Sequence, residues 1–223
     1  MPRLWPSTPV FGVLLVCTGN VCRSPLAERL GRAYLEAASP GSSRWVDLGS
    51  AGTRAVVGAG MHPHSALVLQ GLGGDPSGFL ARQLTGPIAD AADLTLTMTR
   101  EHRRDVLAVA PRALSRTYTL REAADLLGLV GDNVSLGGAS SVDRARDLVE
   151  RMAARRPLRR SGPDDDIRDP IGQPAEVHQE VGDSISEALL TVLGRLVSWG
   201  SVTGGVDPAP PRAARRWDPT QTG

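Results

Sequence analysis

The stretch FGVLLVCTGNVCRSPLAERLGRAYLEAA (residues 11–38) decides the fold of this 223-residue chain. It opens with a continuously apolar run, FGVLLV (11–16), which is typical of a parallel strand covered on both faces. A polar loop follows, and then Pro25 stands where the first turn of a helix accepts proline, with Ser24 before it as the expected N-cap. The stretch therefore predicts a strand, a short loop and a helix.

Strands and helices continue to alternate along the chain. Further strands are predicted at RWVDLGSAGT (44–53), ADLTLTMT (92–99) and RTYTL (116–120). Helices are predicted at HSALVLQGLGG, REHRRDVLAVA, REAADLLGLV and PAEVHQEVGDSISEALLTVLGRLVSW. Strands separated by helices indicate an α/β fold of three layers, in which a four-stranded parallel sheet carries helices on both faces.

The domain boundaries follow from composition. Residues 1–10 contain several prolines and are predicted to be a flexible lead, and residues 11–200 to form one domain. Within it, residues 131–163 are predicted to be an inserted helical segment, whose helix is SVDRARDLVERMAARR. Residues 201–223 are rich in Pro, Gly, Arg and Ala, and are predicted to be a disordered tail.

Charge and cysteine content limit the classes of function. A formal net charge of +1 gives no reason to expect a nucleic-acid or membrane-surface partner. The apolar run 11–16 is too short to span a bilayer. Only two cysteines occur, both in one loop, so they cannot form a stapling disulfide framework. We therefore expect a soluble, cytoplasmic protein.

The loop CTGNVCRS (17–24) has the composition of a phosphate-binding loop. A loop between a strand and a helix N-terminus directs several backbone N–H groups at one point, and the helix dipole adds partial positive charge. Gly19 and Asn20 tolerate the positive φ that such a loop requires. Arg23 offers a planar fork for two phosphate oxygens. We therefore expect this loop to bind a tetrahedral dianion.

Cys17 ends the strand and should face the centre of this loop as a thiolate, to which Ser24 can donate a hydrogen bond. A thiolate beneath a phosphate monoester can attack phosphorus, while a carboxylic acid protonates the leaving group. An isolated cysteine at a strand end is more often an ordinary core residue. Here the Gly-Asn and Ser-Pro pairs around it favour the catalytic interpretation.

With these residues in view, the chain resembles the low-molecular-weight protein tyrosine phosphatases over residues 11–128 and 164–198. The motifs that carry the resemblance occur in family order, and they are CTGNVCRSP (17–25), SAGT (50–53), ARQL (81–84), ADLTLTM (92–98) and DP (169–170). The resemblance implies a cysteine-dependent phosphatase that acts through a cysteinyl-phosphate intermediate and needs no metal or organic cofactor.

The resemblance also implies the roles of individual residues. Cys17 would be the nucleophile, Arg23 the phosphate clamp, and Asp169 the general acid. Cys22 matches a second cysteine that can form a reversible disulfide with the nucleophile; a small buried side chain is the alternative. The residues implied to bind the phosphate group are Thr18, Gly19, Asn20, Val21, Cys22 and Ser24.

The acid lies in DDDIRDP (164–170), which offers four carboxylates. Asp169 is preferred because Pro170 fixes the following φ and Gly172 can turn the loop back over the site. Asp166 is the alternative acid. We interpret the remaining acidic run, 164–166, as a solvated face.

The substrate is less closely defined. Phosphotyrosine-selective members commonly have aromatic side chains after SAGT and after DP, whereas RAVVG (54–58) and IGQP (171–174) follow those motifs here. A phenyl ring would therefore gain less stacking than usual. Protein phosphotyrosine remains the leading substrate class, and a small phosphate monoester is the alternative. His62 and His64, near the expected pocket rim, are interpreted as surface residues.

Three other functions are weighed. An arsenate reductase of the same fold would have to use a small external thiol, because no cysteine follows Cys22. A non-catalytic phosphate-binding protein is a second possibility, although the nucleophile and the acid are both present. A zinc site on Cys17 and Cys22 is disfavoured, because no second ligand pair stands at suitable spacing and Arg23 would repel a cation.

Overall fold

The computed structural model describes residues 10–38, 41–131 and 134–200. The predicted tail, and all but one residue of the predicted lead, lie outside the described residues. The domain boundaries, including those of the segment 131–163, therefore stay predictions.

The core of the fold is one sheet of four parallel strands in the order β2-β1-β3-β4. The strands are β1 (Phe11–Cys17), β2 (Val46–Gly52), β3 (Leu94–Thr97) and β4 (Thr117–Thr119). All four were predicted, and the three-layer α/β fold is confirmed.

The helices fill the connections between the strands. They are α1 (Arg23–Ala38), α2 (Pro63–Gly71), α3 (Gly86–Ala91), α4 (Arg100–Val109), α5 (Leu120–Val130), α6 (Ser141–Arg155) and α7 (Ala175–Gly200). The sequence did not predict α3, which has only six residues and too few turns to give a helical apolar pattern. Within the described ranges, no helix combines the length and the apolar character that crossing a membrane requires.

Strand β1 is buried on both faces because two hydrophobic cores meet on it. Phe11, Val13 and Leu15 belong to the larger core, which they share with residues of α1, α5, α6 and α7. Leu14 and Val16 belong to a smaller core, shared with α3 and α4. Successive side chains of a strand point to opposite faces. This alternation explains why β1 is apolar at nearly every position.

The segment 131–163, which was predicted to be an insertion, contributes a helix to the larger core. Its helix α6 begins with a capping box, in which Ser140 Oγ accepts from the backbone N–H of Asp143 at 3.1 Å and the Asp143 carboxylate accepts from the N–H of Ser140 at 3.1 Å. The buried residues of α6 are Val142, Ala145, Leu148, Val149 and Met152. The predicted helix is therefore present, and it covers one face of the sheet.

The acidic run 164–166 is only partly solvated. The Asp165 side chain is 1% exposed, accepts hydrogen bonds from Ser161 Oγ at 2.8 Å and from the Gly162 N–H at 3.1 Å, and pairs with Arg159. The prediction of a solvated face is therefore wrong for Asp165. A sequence run shows the charges but not the arginine that folds back onto one of them.

The strand order places the loop after β1 at a distinctive position. Strand β2 lies on one side of β1 and strand β3 on the other, so the chain passes from one side of β1 to the other between β2 and β3. In doubly wound sheets, ligands bind at the carboxyl ends of the strands at such a switch point. Residues 17–24 occupy this point.

Candidate active site

The backbone of the loop 17–24 is held by its carbonyl groups. Four carbonyls accept hydrogen bonds from the segment that follows β2: Cys17 from Thr53 (2.9 Å), Thr18 from Arg54 (2.9 Å), Gly19 from Val56 (3.0 Å) and Val21 from His62 (2.8 Å). In a trans peptide the N–H points opposite to the preceding C=O. The following N–H groups therefore point away from that segment, which gives the loop the amide lining that an anion needs.

Asn20 fixes the turn of this loop. Its φ of 54° is the only positive φ among the described non-glycine residues, and its side chain is fully buried. The amide Nδ2 donates to Ser24 Oγ at 2.8 Å and to Ser50 Oγ at 2.9 Å, and Oδ1 accepts from the Arg82 N–H at 2.9 Å. The predicted role of Asn20 in loop shape therefore has a geometric basis.

The Cys17 thiol is buried at the end of β1, with its Sγ 2.9 Å from Ser24 Oγ. Helix α1 begins at Arg23, so Ser24 lies inside it and the prediction of an N-cap is wrong. The Ser24 hydroxyl instead joins Cys17 to Asn20. This contact is the one that can stabilise a thiolate.

A buried carboxylate, which the sequence did not reveal, supports this network. Ser50 Oγ donates to the Glu28 carboxylate at 2.6 Å, and Glu28 is 4% exposed. Glu28 is one turn into α1, and Ser50 is on β2. A chain of hydrogen bonds therefore runs from α1 through Ser50, Asn20 and Ser24 to the sulfur of Cys17.

The Arg23 guanidinium is 3% exposed and faces the loop. One nitrogen donates to the Ile167 carbonyl at 3.0 Å, and another donates to Asp169 Oδ2 at 2.6 Å and to Thr18 Oγ1 at 3.4 Å. Its Nε is buried without a hydrogen-bond partner among the described residues. A buried unpaired donor is costly, and the oxygen of a bound anion would satisfy it.

Asp169, and not Asp166, lies at the loop. The Asp169 side chain is 42% exposed and pairs with Arg23. Asp166 instead accepts from the backbone N–H of Arg100 at 2.7 Å and from its guanidinium at 2.9 Å. Burial acts to raise the pKa of Asp166, but the hydrogen bonds from Arg100 outweigh it and lower the pKa. Asp166 therefore stays ionised and is poorly suited to donate a proton.

His102 is a second residue that sequence reasoning missed. Its side chain is 5% exposed; Nε2 lies 2.8 Å from Thr18 Oγ1, and Nδ1 lies 2.9 Å from Thr99 Oγ1. Burial and the nearby Arg23 charge lower the pKa of His102 to about 4. The ring is therefore neutral at pH 7. The sequence signal that could have identified His102 is its position in the first turn of α4, the helix that follows β3, because β3 lies beside β1.

The rim of the site is aliphatic. Val56 and Val57, which follow SAGT, are 56% and 69% exposed, and Ile171, two residues after Asp169, is 52% exposed. These positions offer apolar contact without a ring for stacking. The observation agrees with the sequence-based expectation that aromatic walls are missing.

Two further predicted residues have unexpected surroundings. His62 and His64 are half-buried, so their interpretation as surface residues is wrong; the ring of His62 stacks on that of His178 at 4.6 Å between centroids. Cys22 is 4% exposed, and burial raises the pKa of its thiol to about 11. Cys22 is therefore a neutral thiol, and its predicted redox role stays a prediction.

Together these residues form a site for a tetrahedral oxyanion above a cysteine. The structure brings Cys17, Arg23 and Asp169 to one loop. The loop has an amide lining, an unsatisfied guanidinium nitrogen and a carboxyl group at its mouth. This arrangement can hold a phosphate group, attack it from sulfur and protonate its leaving oxygen.

Comparison with known proteins connects this arrangement with a family. Residues 12–128 match the family model described as "Low molecular weight phosphotyrosine protein phosphatase". The probable low molecular weight protein-tyrosine-phosphatase EpsP of Ralstonia solanacearum is 37% identical over 110 residues, which cover 49% of this chain and 70% of the relative.

Solved structures share the fold. The low molecular weight protein tyrosine phosphatase from T. tengcongensis is 26% identical with a TM-score of 0.59, and the alignment covers 82% of this chain and 98% of that one. The YwlE arginine phosphatase from Geobacillus stearothermophilus is also 26% identical with a TM-score of 0.59, with 84% and 94% covered.

Proposed function

Because this chain belongs to the low molecular weight phosphotyrosine protein phosphatase family and is a cysteine-dependent phosphatase, we propose that Cys17, Arg23 and Asp169 carry its reaction. One observation carries the proposal. Asp169 pairs with Arg23 at 2.6 Å, next to the loop in which Cys17 Sγ lies 2.9 Å from the Ser24 hydroxyl.

In the first step, the Cys17 thiolate attacks phosphorus. The Sγ–P bond forms, the P–O bond to the leaving group breaks, and the leaving oxygen takes a proton from the Asp169 carboxyl group. The amides of the loop and Arg23 hold the other phosphate oxygens as charge develops. For this step, Arg23 must turn from Asp169 to the phosphate group. The Asp169 carboxylate is then no longer paired with Arg23 and lies beside the phosphate dianion, where it takes up the proton that it later donates.

In the second step, water hydrolyses the cysteinyl-phosphate. The Asp169 carboxylate takes a proton from the water, whose oxygen bonds to phosphorus, and Cys17 leaves as a thiolate. The hydrogen bond from Ser24 stabilises that leaving thiolate. Asp169 thus acts first as an acid and then as a base.

The substrate class we propose is protein phosphotyrosine, since the family model and the relatives bear that name. The exposed aliphatic rim at Val56, Val57 and Ile171 supports a preference set by the peptide around the phosphate more than by ring stacking. We propose a cytoplasmic location, which fits the two free cysteines.

Phosphoarginine in proteins is the second candidate substrate. It is favoured by the likeness to the YwlE arginine phosphatase of Geobacillus stearothermophilus and by the lack of aromatic residues at the rim positions. The same residues would act, except that the proton would go to the leaving guanidinium nitrogen.

The test begins with turnover by the wild-type chain of matched peptides that carry phosphotyrosine, phosphoserine or phosphoarginine. We expect the highest kcat/KM for phosphotyrosine, and faster turnover of phosphoarginine would move the assignment to the second candidate. Absence of turnover of all three, and of any aryl phosphate, would reject the proposal; arsenate-dependent thiol consumption would then support a reductase.

Trapping tests the nucleophile. The Cys17→Ser variant should bind phosphopeptides, should not turn them over, and should retain the bound phosphoprotein from a cell extract for identification by mass spectrometry. Turnover by this variant at the wild-type rate would remove Cys17 from the mechanism. The matched control is Ser43→Ala, an exposed serine away from the loop.

A further inference from the structure

Three side chains with metal-binding atoms converge behind the phosphate loop. Cys22, His62 and His178 each offer one ligand atom, and these atoms lie within 4.8 Å of one another. Cys22 directly precedes α1, His62 is the N-cap residue of α2, and His178 lies in the first turn of α7. Three separate helices therefore hold the group in place.

The two histidines have nitrogens without partners. His178 is 1% exposed; its Nδ1 lies 2.9 Å from Ser65 Oγ, whereas its Nε2 is buried without a hydrogen bond of good geometry to the described residues. The Pro170 carbonyl is the backbone group near this ring, and it acts to raise the pKa of His178 against the larger effect of burial. The Nδ1 atoms of His62 and of the neighbouring His64 are also buried without partners among the described residues. Only His62 and His178 offer a ligand atom that converges with the sulfur of Cys22 among the described residues. A second ring nitrogen held by a hydroxyl orients an imidazole for metal binding. The convergence of these nitrogens with the Cys22 sulfur therefore makes His62 and His178 suited to bind an ion.

The protonation states suit a metal. Burial lowers the pKa of His178 and of His62, so both rings are neutral at pH 7 and can donate a lone pair. Burial raises the pKa of Cys22 to about 11, so a bound cation would have to displace the thiol proton. The position of Cys22 at the N-terminus of α1 favours the resulting thiolate.

The ligand set also selects the type of metal. One sulfur and two imidazole nitrogens suit Zn²⁺ far better than Mg²⁺ or Ca²⁺, which prefer oxygen. Tetrahedral Zn²⁺ bonds of about 2.3 Å to sulfur and about 2.0 Å to nitrogen put ligand atoms about 3.4 Å apart. Small side-chain rotations would bring atoms within 4.8 Å to this spacing. Arg23 is close by, but its charge is paired with Asp169.

We propose that Cys22, His62 and His178 form a binding site for a thiophilic divalent transition-metal ion, with Zn²⁺ as the best fit. The second ligand pair that Cys22 lacks in sequence comes from α2 and α7. Three protein ligands leave the fourth position to water. A bound ion would join the phosphate loop to both helices, and it would hold the Cys22 sulfur away from Cys17.

The site is tested by direct binding. Zn²⁺ is titrated into the metal-free full chain against a chromogenic chelator, and Co²⁺ is used to observe the thiolate-to-metal charge-transfer band. We expect one equivalent bound, a band that disappears in Cys22→Ser, and an affinity reduced at least about tenfold in His62→Asn. The control His64→Asn, whose ring is 5.2 Å from that of His178, should bind within about threefold of wild type.

Cys17→Ser separates this site from the catalytic one. The proposal requires the variant to keep the Co²⁺ band, and because it has no turnover, the outcome is independent of the proposed phosphatase activity. Loss of the band in Cys17→Ser but not in Cys22→Ser would place the metal on the nucleophile and overturn the proposal. So would the absence of saturable binding by wild type. Circular dichroism of each variant confirms that it is folded; the deciding variants avoid the fully buried His178.

Discussion

At the scale of single residues, the contact between Arg23 and Asp169 has two consequences. It keeps the carboxyl group at the mouth of the loop, and it occupies the guanidinium nitrogen that a phosphate would take. Substrate must therefore exchange one anion for another at Arg23. The exchange links phosphate binding to the release of the acid that the first step uses.

Replacing this acid should have an effect that depends on the leaving group. In Asp169→Asn we expect kcat for a poor leaving group such as phenol to fall by about 10²–10⁴, because the phenoxide no longer receives a proton. With p-nitrophenol, which leaves readily as an anion, the loss should be much smaller. Steady-state kinetics on both esters measure the difference. Asp164→Asn, in the same acidic run but exposed, is the matched control; equal losses on both esters in Asp169→Asn would exclude Asp169 as the acid.

His102 should make the stability of the protein dependent on pH. Its pKa is about 4 in the folded state against 6.5 ordinarily, so between these values only the unfolded chain takes up the proton. Stability is thus lost as pH falls from 6.5 towards 4. At pH 5 the loss is about 2 kcal/mol. We expect this difference between wild type and His102→Gln when urea unfolding at pH 7.5 is compared with pH 5.

The comparison with His102→Gln removes the contribution of other titrating groups. Parallel pH dependence in the two proteins would show that His102 does not carry the effect. Steady-state kinetics of His102→Gln are a second measurement. The Thr18 hydroxyl that His102 contacts also accepts a hydrogen bond from Arg23, so the variant can affect the phosphate clamp.

The residues that sequence could predict are those whose chemistry is local. Cys17, Asn20 and Arg23 stand in one short loop, and their spacing alone indicates the phosphate site. Glu28 and His102 were not predicted, because they act on the loop through side-chain contacts across strands and helices. Asp169 was identified through the family resemblance and the proline that follows it. The sequence of the run 164–166 does not show which of its carboxylates pairs with an arginine.

At the scale of elements, the order of strands and helices was predictable, but details at their ends were not. The continuous apolar run of β1 and the following proline predict a strand and a helix correctly. The start of α1 was predicted too late, because α1 begins at Arg23 and Ser24 does not cap it. The Ser24 hydroxyl instead contacts the sulfur of Cys17 and the side-chain amide of Asn20. A tertiary contact thus overrides the capping preference of serine.

The end of β2 lies against the loop with no space for a side chain. A Cβ on Gly52 would collide with the Thr18 carbonyl oxygen and come within 3.0 Å of Ala55, while Gly52 is held by hydrogen bonds with Arg82 and Leu84. We expect Gly52→Ala to push the loop out of shape, lowering kcat/KM at least tenfold and stability by about 1–3 kcal/mol.

Gly60→Ala is the control for this prediction, because a Cβ there meets nothing within 4 Å. It should leave kcat/KM unchanged and stability within about 0.5 kcal/mol. Both variants are measured by steady-state kinetics and urea unfolding. Wild-type kinetics in Gly52→Ala would mean that the loop does not depend on its approach to β2.

At the scale of the whole molecule, most of the larger core lies away from the residues of the proposed reaction. The larger core lies on one face of the sheet and includes residues of α1, α5, α6 and α7, whereas the loop 17–24 lies at the carboxyl edge of the strands and joins this core through Cys17. Helix α6 packs on α5 and α7, and its buried residues belong to the larger core. Its contribution should therefore be to the free energy of unfolding and not to kcat.

Truncation of a buried side chain in α6 tests this expectation. Leu148 is 2% exposed, so Leu148→Ala leaves a cavity in the larger core and should lower the free energy of unfolding by about 2–5 kcal/mol. Leu158→Ala, 68% exposed in the same segment, should change it by less than about 0.5 kcal/mol. Urea unfolding measures both. Because β1 is shared by the two cores, we expect one cooperative transition, and kcat per folded molecule within about twofold of wild type. A fall in kcat without loss of stability in Leu148→Ala would mean that α6 acts on the site, and the inserted segment would then be part of the catalytic apparatus.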